Sequence, residues 1–222
     1  MPTLHLVRHG QASFGADDYD HLSELGARQC RLLGQWMHER GLAFEAVLTG
    51  TLRRHRQSLD ALAQALPGLP PATAWPGLDE YDTHALLRAF PGEPLPPSDT
   101  EEGRRAHFRR LRDALDAWMA GRIHPEGMPA WPAFRSGVVD VMAHIGRTHR
   151  GDVLVVSSGG PIATAVAHAM QAPDRVAIEL NLRMRNSALT EFAFSARGQV
   201  LHSFNTLPHL DTPDHRRWIS YA

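Results

Sequence analysis

Three polar stretches of the chain carry residue types that suit phosphoryl chemistry. They are "RHG" at 8–10, "TLRR" at 51–54 and "SSGGP" at 157–161. Arginine pairs with two phosphate oxygens at once, and a glycine-rich turn at a helix N-terminus adds backbone N–H donors for an anion. A neutral imidazole is a competent nucleophile near pH 7 and can form a covalent phosphoenzyme intermediate. These stretches predict a phosphoryl site in which guanidinium groups neutralise the transition state, so that no metal ion is needed.

Each polar stretch follows a short apolar run that predicts a buried strand. The runs are 4–7, 46–50 and 152–156, and segments that favour helices follow them at 22–41, 51–66 and 162–170. Strands that alternate with helices predict a three-layer α/β/α sandwich with a mostly parallel sheet. In such sheets the ligand crevice lies at the carboxyl ends of the strands. We therefore expect the three polar stretches to meet at one rim of the sheet.

The remaining segments predict an edge hairpin and a helical insert. Apolar and polar residues alternate on both sides of "ARGQ" within 187–205, which is typical of an antiparallel hairpin at a sheet edge. The middle of the chain, about 84–135, is rich in proline, glycine and charge, and it contains one predicted helix at 100–121. The arginines of that helix are interleaved with acidic residues, which favours a solvated face. A further helix is predicted at 129–151, and a short strand near 73–75.

Composition bounds the size and the surroundings of the protein. With 222 residues, 43% of them hydrophobic, the chain can form one sizeable core, and we predict a single domain, 1–222, whose insert overhangs the site. Lys and Arg (23) nearly balance Asp and Glu (24), so no general attraction for nucleic acid or an anionic membrane is expected. The single Cys30 excludes an internal disulfide and fits a reducing compartment. Without a signal peptide or an apolar run of spanning length, the expected location is the cytoplasm.

Six motifs occur in the order seen in one known family. They are "LVRHGQAS", "LSELGARQ", "VLTGTLRRHRQS", "GLDEYD", "VLVVSSGGPI" and "NSALTEF". Through them the chain, from residue 3 to about 205, resembles the histidine phosphatase superfamily in its phosphoglycerate-mutase-like branch. The resemblance implies a sheet of about six strands flanked by helices, with the site at the carboxyl rim. It also implies hydrolysis of a small phosphorylated substrate through a phosphohistidine, without a cofactor.

The resemblance implies roles for the residues of the phosphate pocket. His9 matches the histidine that becomes phosphorylated, and Arg8 matches the arginine beside it. The second phosphate-binding arginine aligns with Arg54, whereas its neighbour Arg53 is expected to face solvent. Gly159 belongs to the glycine-rich turn and is predicted to bind the substrate through its backbone.

The resemblance also implies a general acid and a structural asparagine. The acid aligns with Glu80, and Asp82 is the reserve candidate. A carboxyl group in this role protonates the leaving oxygen and later activates water, for which it needs a pKa raised by burial. Asn186 matches a signature that precedes the edge hairpin, where a structural role is expected.

Two positions depart from the family pattern. Ser158 stands where the family has a histidine that touches the transferring phosphate. A hydroxyl still donates a hydrogen bond but brings no charge, and losing one such donor costs about 3 kcal/mol, or roughly a hundredfold in rate. The chain has 14 histidines, and another of them, such as His84 or His209, could supply the missing imidazole. Gly15 replaces an asparagine, for which the Ser13 hydroxyl could substitute.

Three alternatives to a phosphatase stay open. A silent scaffold would bind phosphate without turnover, and a phosphoglycerate-mutase-type enzyme would transfer it, although 12–21 does not resemble the segment that mutases carry there. A serine hydrolase would use Ser158 as nucleophile with Asp211, Asp214 and His215 downstream, but this leaves the polar residues of the first two stretches without a role. Exposed edges and apolar loops permit a homodimer.

Overall fold

A six-stranded sheet forms the centre of the fold. The computed structural model describes residues 1–13, 20–92, 95–96, 100–195 and 197–221. The strands within these residues are β1 (Thr3–Arg8), β2 (Ala46–Thr49), β3 (Ala72–Ala74), β4 (Val153–Ser157), β5 (Leu189–Ser195) and β6 (Gly198–Thr206). The α-helices of the described residues are α1 (Glu24–Glu39), α2 (Arg53–Ala63), α3 (Thr83–Ala89), α4 (Glu101–Met119), α5 (Trp131–Thr148), α6 (Gly159–Ala169) and α7 (Val176–Asn181).

The strand order is β3-β2-β4-β1-β5-β6. The pairings among β1, β2, β3 and β4 are parallel, whereas β5 runs antiparallel to β1 and pairs with β6 as a hairpin. This confirms the prediction of a mostly parallel sheet with an antiparallel edge. The short strand predicted near 73–75 is β3, at the opposite edge from the hairpin.

Helices cover both faces of the sheet, because the inner strands are apolar on both sides. All five residues of β4 are buried, and successive side chains point to opposite faces. Val153 and Val155 belong to a core cluster that includes Ile145 of α5 and Val166 of α6. Leu154 and Val156 belong to a second cluster, with residues of α1 and α2. The predicted three-layer sandwich is therefore confirmed, and no helix of the described residues is long and apolar enough to cross a membrane.

The carboxyl ends of β1, β2 and β4 meet at one rim. Arg8 lies opposite Ser157 in the β1–β4 register, and the His9 N–H donates to the Ser157 carbonyl at 2.9 Å. After β2, the Gly50 N–H donates to the Val156 carbonyl at 3.1 Å. The three polar stretches are thus brought together as the sequence predicts.

Three helical features differ from the expectation. The insert contains α3 in addition to α4, and α7 was not predicted, since six or seven residues are too few to show a helical period. Helix α6 begins at Gly159, three residues before the predicted start, with Pro161 in its first turn. The glycines serve close approach here, because a Cβ at Gly160 would lie 2.1 Å from the Glu80 carboxylate. That the chain forms one domain with an overhanging insert stays a prediction.

Candidate active site

His9 follows the last residue of β1 and is 3% exposed. Its Nδ1 lies 2.7 Å from the Gly10 carbonyl oxygen, which can only accept, so Nδ1 carries the proton and Nε2 keeps its lone pair. Burial, and next the positive charges of Arg8 and Arg54, hold the pKa of the His9 imidazole well below its ordinary value. The ring is therefore neutral near pH 7, as a nucleophile must be.

The two predicted arginines lie in the same buried site. Arg54, in the first turn of α2, donates through Nε to His9 Nε2 at 3.3 Å. Arg8 is 4% exposed and donates to the Met184 carbonyl oxygen. Both guanidinium groups are buried, whereas Arg53 is exposed, as predicted.

The start of α2 is held by an acidic residue that the sequence analysis missed. Asp20 accepts from the Arg53 backbone N–H at 2.8 Å and pairs with the Arg54 guanidinium at 2.8 Å. It supplies the acceptor that Leu52, at the helix cap position, lacks. Asp20 thereby fixes the orientation of the Arg54 guanidinium.

The imidazole beside Ser158 is that of His55. Ser158 is fully buried, and its Oγ lies 2.6 Å from His55 Nε2 and 3.4 Å from a terminal nitrogen of Arg54. His84 is exposed, and His209 is hydrogen-bonded to Ser187 Oγ at 2.9 Å. The histidine that contacts Ser158 is therefore neither of the two that the sequence analysis gave as examples.

A signal for His55 exists in the sequence. In α2 the buried positions are 54, 55, 58, 61 and 62, which form one helix face, and the exposed ones include 53 and 56. Since Ala61 and Leu62 must face the core, helical spacing directs Arg54, His55 and Ser58 inward with them.

Glu80 lies against the first turn of α6. Its carboxylate oxygens accept from the Gly160 N–H at 3.0 and 3.2 Å. Burial raises the pKa of the Glu80 carboxyl above its ordinary value, although that N–H and the charges of Arg54 and Arg8 act in the opposite direction. Asp82 is exposed and caps α3 by accepting from the Ala85 N–H at 2.9 Å. The geometry thus favours Glu80 over Asp82 as the acid.

Gly159 and Ser13 are the remaining residues that the sequence predicts to bind the substrate. Gly159 is the first residue of α6, where a Cβ would lie 2.1 Å from the Asn181 side-chain oxygen. The Ser13 N–H donates to the His21 carbonyl at 2.8 Å, whereas Gly15 lies outside the described residues. Their roles in substrate binding stay predictions.

Asn186 binds the C-terminal segment, in keeping with the structural role expected for it. Its side-chain amide donates to Ser220 Oγ at 2.9 Å and to the Tyr221 carbonyl at 3.2 Å, and its backbone N–H donates to the Ser220 carbonyl at 3.0 Å. Asn186 itself is 2% exposed. These contacts fasten the chain terminus beside β5.

The partners considered for a Ser158 hydrolase are engaged elsewhere. His215 stacks on Trp218 with ring centroids 4.9 Å apart, and Asp211 pairs with Arg216 at 3.0 Å. Asp214 is exposed, whereas Ser158 is fully buried. These contacts argue against that version of the serine-hydrolase hypothesis.

The site contains a neutral buried imidazole, two buried guanidinium groups and a carboxyl group of raised pKa, which are the kinds of group that phosphoryl transfer uses. The family model of the histidine phosphatase superfamily (branch 1) matches residues 4–93 and 97–207, so the chain belongs to that superfamily. This confirms the resemblance seen in the motifs.

Relatives of this chain are phosphatases by name. It is 24% identical over 202 residues to the mitochondrial serine/threonine-protein phosphatase Pgam5 of Drosophila willistoni, covering 88% of this chain and 59% of that relative. The chain thus spans less than two thirds of that relative's length.

Solved structures share the fold at low sequence identity. A phosphoserine phosphatase variant from Entamoeba histolytica in complex with phosphoserine has a TM-score of 0.63 at 18% identity, covering 95% of this chain and 100% of that one. The alpha-ribazole phosphatase from Shigella flexneri has a TM-score of 0.63 at 17% identity, covering 92% of this chain and 96% of that one. At these identities the likeness shows the fold alone.

Buried histidines predict a loss of stability in acid. Burial lowers the pKa of His5, His9 and His55, and it lowers that of His209 to about 3. Below pH 6.5 the unfolded chain therefore binds more protons than the folded one, so the free energy of unfolding falls as the pH falls. Glu80, with its raised pKa, acts in the opposite direction. Between pH 7 and 5.5 we expect His209 alone to contribute a loss of about 1 kcal/mol, measured by urea unfolding, and the other three histidines to add to it.

A pair of variants tests the source of that acid sensitivity. His209→Gln should reduce the difference in unfolding free energy between pH 7 and pH 5.5. His84→Gln, at an exposed position, should leave that difference unchanged. Equal unfolding free energies for the wild-type protein at pH 7 and 5.5 would contradict the expectation.

Proposed function

We propose that this protein is a phosphomonoester phosphatase that works through a covalent phosphohistidine on His9. The observation that carries the proposal is the hydrogen bond from Arg54 Nε to the unprotonated Nε2 of His9, at 3.3 Å. A tetrahedral anion bound to that guanidinium lies within reach of the imidazole lone pair, while Arg8 adds a second buried positive charge. The proposal extends to metal-independent chemistry, since these charges already neutralise the transferring group.

In the first step, His9 Nε2 attacks the phosphorus atom and the bond from phosphorus to the ester oxygen breaks. Arg8 and Arg54 bind the equatorial oxygens, on which negative charge is spread in the transition state. Protonated Glu80 gives its proton to the leaving alkoxide oxygen, and burial favours this protonated form because it raises the pKa of the carboxyl. The products of this step are an alcohol and phospho-His9.

In the second step, the Glu80 carboxylate takes a proton from water. The water oxygen attacks the phosphorus atom, the bond from phosphorus to Nε2 breaks, and inorganic phosphate leaves. The electron pair of that bond returns to His9, and Glu80 is protonated again, so the site is ready for another turnover.

Hydrolysis is favoured over transfer to a second substrate. Hydrolysis needs only water at phospho-His9, whereas a mutase must hold a sugar-acid phosphate as acceptor. The named activities of the relatives, on phosphoproteins, phosphoserine or α-ribazole phosphate, support phosphoester hydrolysis as the shared chemistry. We propose a small phosphorylated molecule as the substrate class.

Covalent labelling tests the proposal. Brief incubation with a ³²P-labelled phosphomonoester, followed by denaturation in alkali, should leave acid-labile, alkali-stable label on the peptide that contains His9. Phosphohistidine has this stability pattern, whereas phosphoserine is stable in acid. Acid-stable label on Ser158, or label of equal amount in His9→Ala, would overturn the mechanism. Neither label nor turnover in wild-type protein would favour the silent phosphate-binding scaffold.

A further inference from the structure

A buried row of polar groups extends from the phosphoryl site into the protein. Ser158 Oγ lies 2.6 Å from His55 Nε2, and His55 Nδ1 lies 3.7 Å from Asp79 Oδ1. Ser158 and His55 are both fully buried, and the His55 ring centroid is 5.8 Å from that of His9. The second imidazole of the site thus comes from helix α2 and reaches it through a serine hydroxyl.

The residues next to this row leave space for its side chains and orient the Asp79 carboxylate. A Cβ at Gly50 would lie 2.2 Å from His55 Nδ1 and 2.6 Å from Asp79 Oδ1, so the glycine leaves the space that both groups occupy. The Thr51 N–H donates to Asp79 Oδ1 at 2.6 Å and its hydroxyl to Oδ2, which orients the carboxylate. Although burial alone would raise the pKa of Asp79, its interactions with His55 and Thr51 lower it, so the carboxylate is charged.

The Ser158 hydroxyl has a single proton, and the state of His55 decides where that proton points. In the neutral ring, Nδ1 faces the Asp79 carboxylate at 3.7 Å and carries the proton. Nε2 is then unprotonated and accepts the Ser158 proton, so the hydroxyl has none left for a phosphoryl oxygen. When His55 carries both ring protons, Nε2 donates to Ser158 Oγ, and the hydroxyl proton is free to bind a phosphoryl oxygen.

We infer that His55 is a positioning residue that acts through Ser158: protonated His55, facing Asp79, directs the Ser158 hydroxyl proton onto the transferring phosphoryl group. The inference rests on the proposed phosphatase function. Under it, the site again contains an imidazole cation, which acts on the phosphoryl group through Ser158 and not by direct contact. A phosphoryl dianion in the site adds negative charge next to the row, which favours the protonated ring.

The charges that face His55 act in both directions. Asp79, between β3 and α3, and Asp20, before α1, favour the cation, whereas Arg54 on α2 opposes it. His9, after β1, opposes protonation only when it is itself charged. In the empty site burial dominates and lowers the pKa of His55, so the donor state forms together with anion binding.

Substitutions at positions 55 and 158, made singly and together, test the inference. His55→Ala and Ser158→Ala should each lower kcat/KM for p-nitrophenyl phosphate by about a hundredfold, and the double variant should lose no more than either single one, since the groups act in series. Ser158→His alone places a ring where His55 already lies 2.6 Å away and should also lose activity. In the double variant Ser158→His/His55→Ala, the new ring occupies the space that the His55 ring leaves. We expect its kcat/KM to be at least about tenfold higher than that of His55→Ala alone.

Tungstate binding gives a second readout, which needs no turnover. Its affinity, measured by calorimetry from pH 6 to 8, should weaken as the pH rises in wild-type protein, because His55 loses its proton. The slope should be smaller in Ser158→Ala and His55→Ala, an effect that a purely structural role would not produce. Additive losses in the double variant, or wild-type slopes in both single variants, would overturn the inference.

A matched control separates this result from general damage and from failure of the phosphatase proposal. His5 is also buried, 3% exposed, at the start of β1 away from the rim, so His5→Ala deletes a similar ring and should keep kcat/KM. If wild-type turnover survives in His9→Ala, the proposed mechanism fails. If it depends on His9 but not on His55 or Ser158, the mechanism stands and the inference about His55 fails.

Discussion

His9→Ala should lower kcat for phosphomonoester hydrolysis by about 10⁴-fold or more, while the protein stays folded and still binds oxyanions. The large loss follows because the variant removes Nε2, the atom that forms the covalent bond, and the charges of Arg8 and Arg54 cannot replace a nucleophile. The measurement is steady-state turnover of p-nitrophenyl phosphate together with tungstate affinity by calorimetry.

Oxyanion binding separates the nucleophile from the binding groups. The His9 ring bonds to the Gly10 carbonyl and accepts from Arg54, so its removal leaves both guanidinium groups and the Asp20 contact in place. We expect the dissociation constant for tungstate to change by less than about tenfold, since no charged donor is lost. His5→Ala, on β1, the strand that precedes His9, is the control for deletion of a buried ring. Turnover in His9→Ala within tenfold of wild type would show that another group is the nucleophile.

The rim of the site could be predicted because each part of it is local. An apolar run that ends in a polar turn locates the end of a strand, whatever packs around it, and parallel strands place such ends side by side. The choice of Arg54 over Arg53 came from the family resemblance, and the buried face of α2 provides the physical reason for it. Alignment already placed Glu80 ahead of Asp82, and the contact with Gly160 adds a physical reason for that preference.

The contacts of His55, Asp20 and Ser158 could not be predicted in the same way. Each joins segments that are distant in the sequence, and a local pattern contains no information about which buried polar groups meet. His55 stands next to an arginine in a strongly polar segment, which resembles a solvated helix when only the charges are considered. Burial without a partner is costly for an imidazole, so a histidine on the buried face of α2 required a polar partner. The structure identifies Ser158 as that partner.

Glu80→Gln should lower kcat/KM for an alkyl phosphate such as glycerol phosphate by about 10²–10⁴-fold, with a much smaller loss for p-nitrophenyl phosphate. An alkoxide leaves only when it is protonated, whereas p-nitrophenolate is a stable anion that needs no acid. In wild-type protein, kcat/KM for the alkyl substrate should fall as the pH rises through the raised pKa of Glu80, because the acid is then lost. Glutamine does not titrate, so this part of the pH profile should be absent from the variant.

The same variant should accumulate the phosphoenzyme. With p-nitrophenyl phosphate the first step proceeds, but the second lacks the base that activates water, so stopped flow should show a burst of about one p-nitrophenolate per site before slow turnover. Asp82→Asn is the matched control, since asparagine also caps helices and should keep α3 intact. Equal losses for both substrates without a burst would exclude Glu80 as the acid and base. The same leaving-group dependence in Asp82→Asn would transfer the role to Asp82, and it would require that exposed carboxylate to leave its cap and reach the rim.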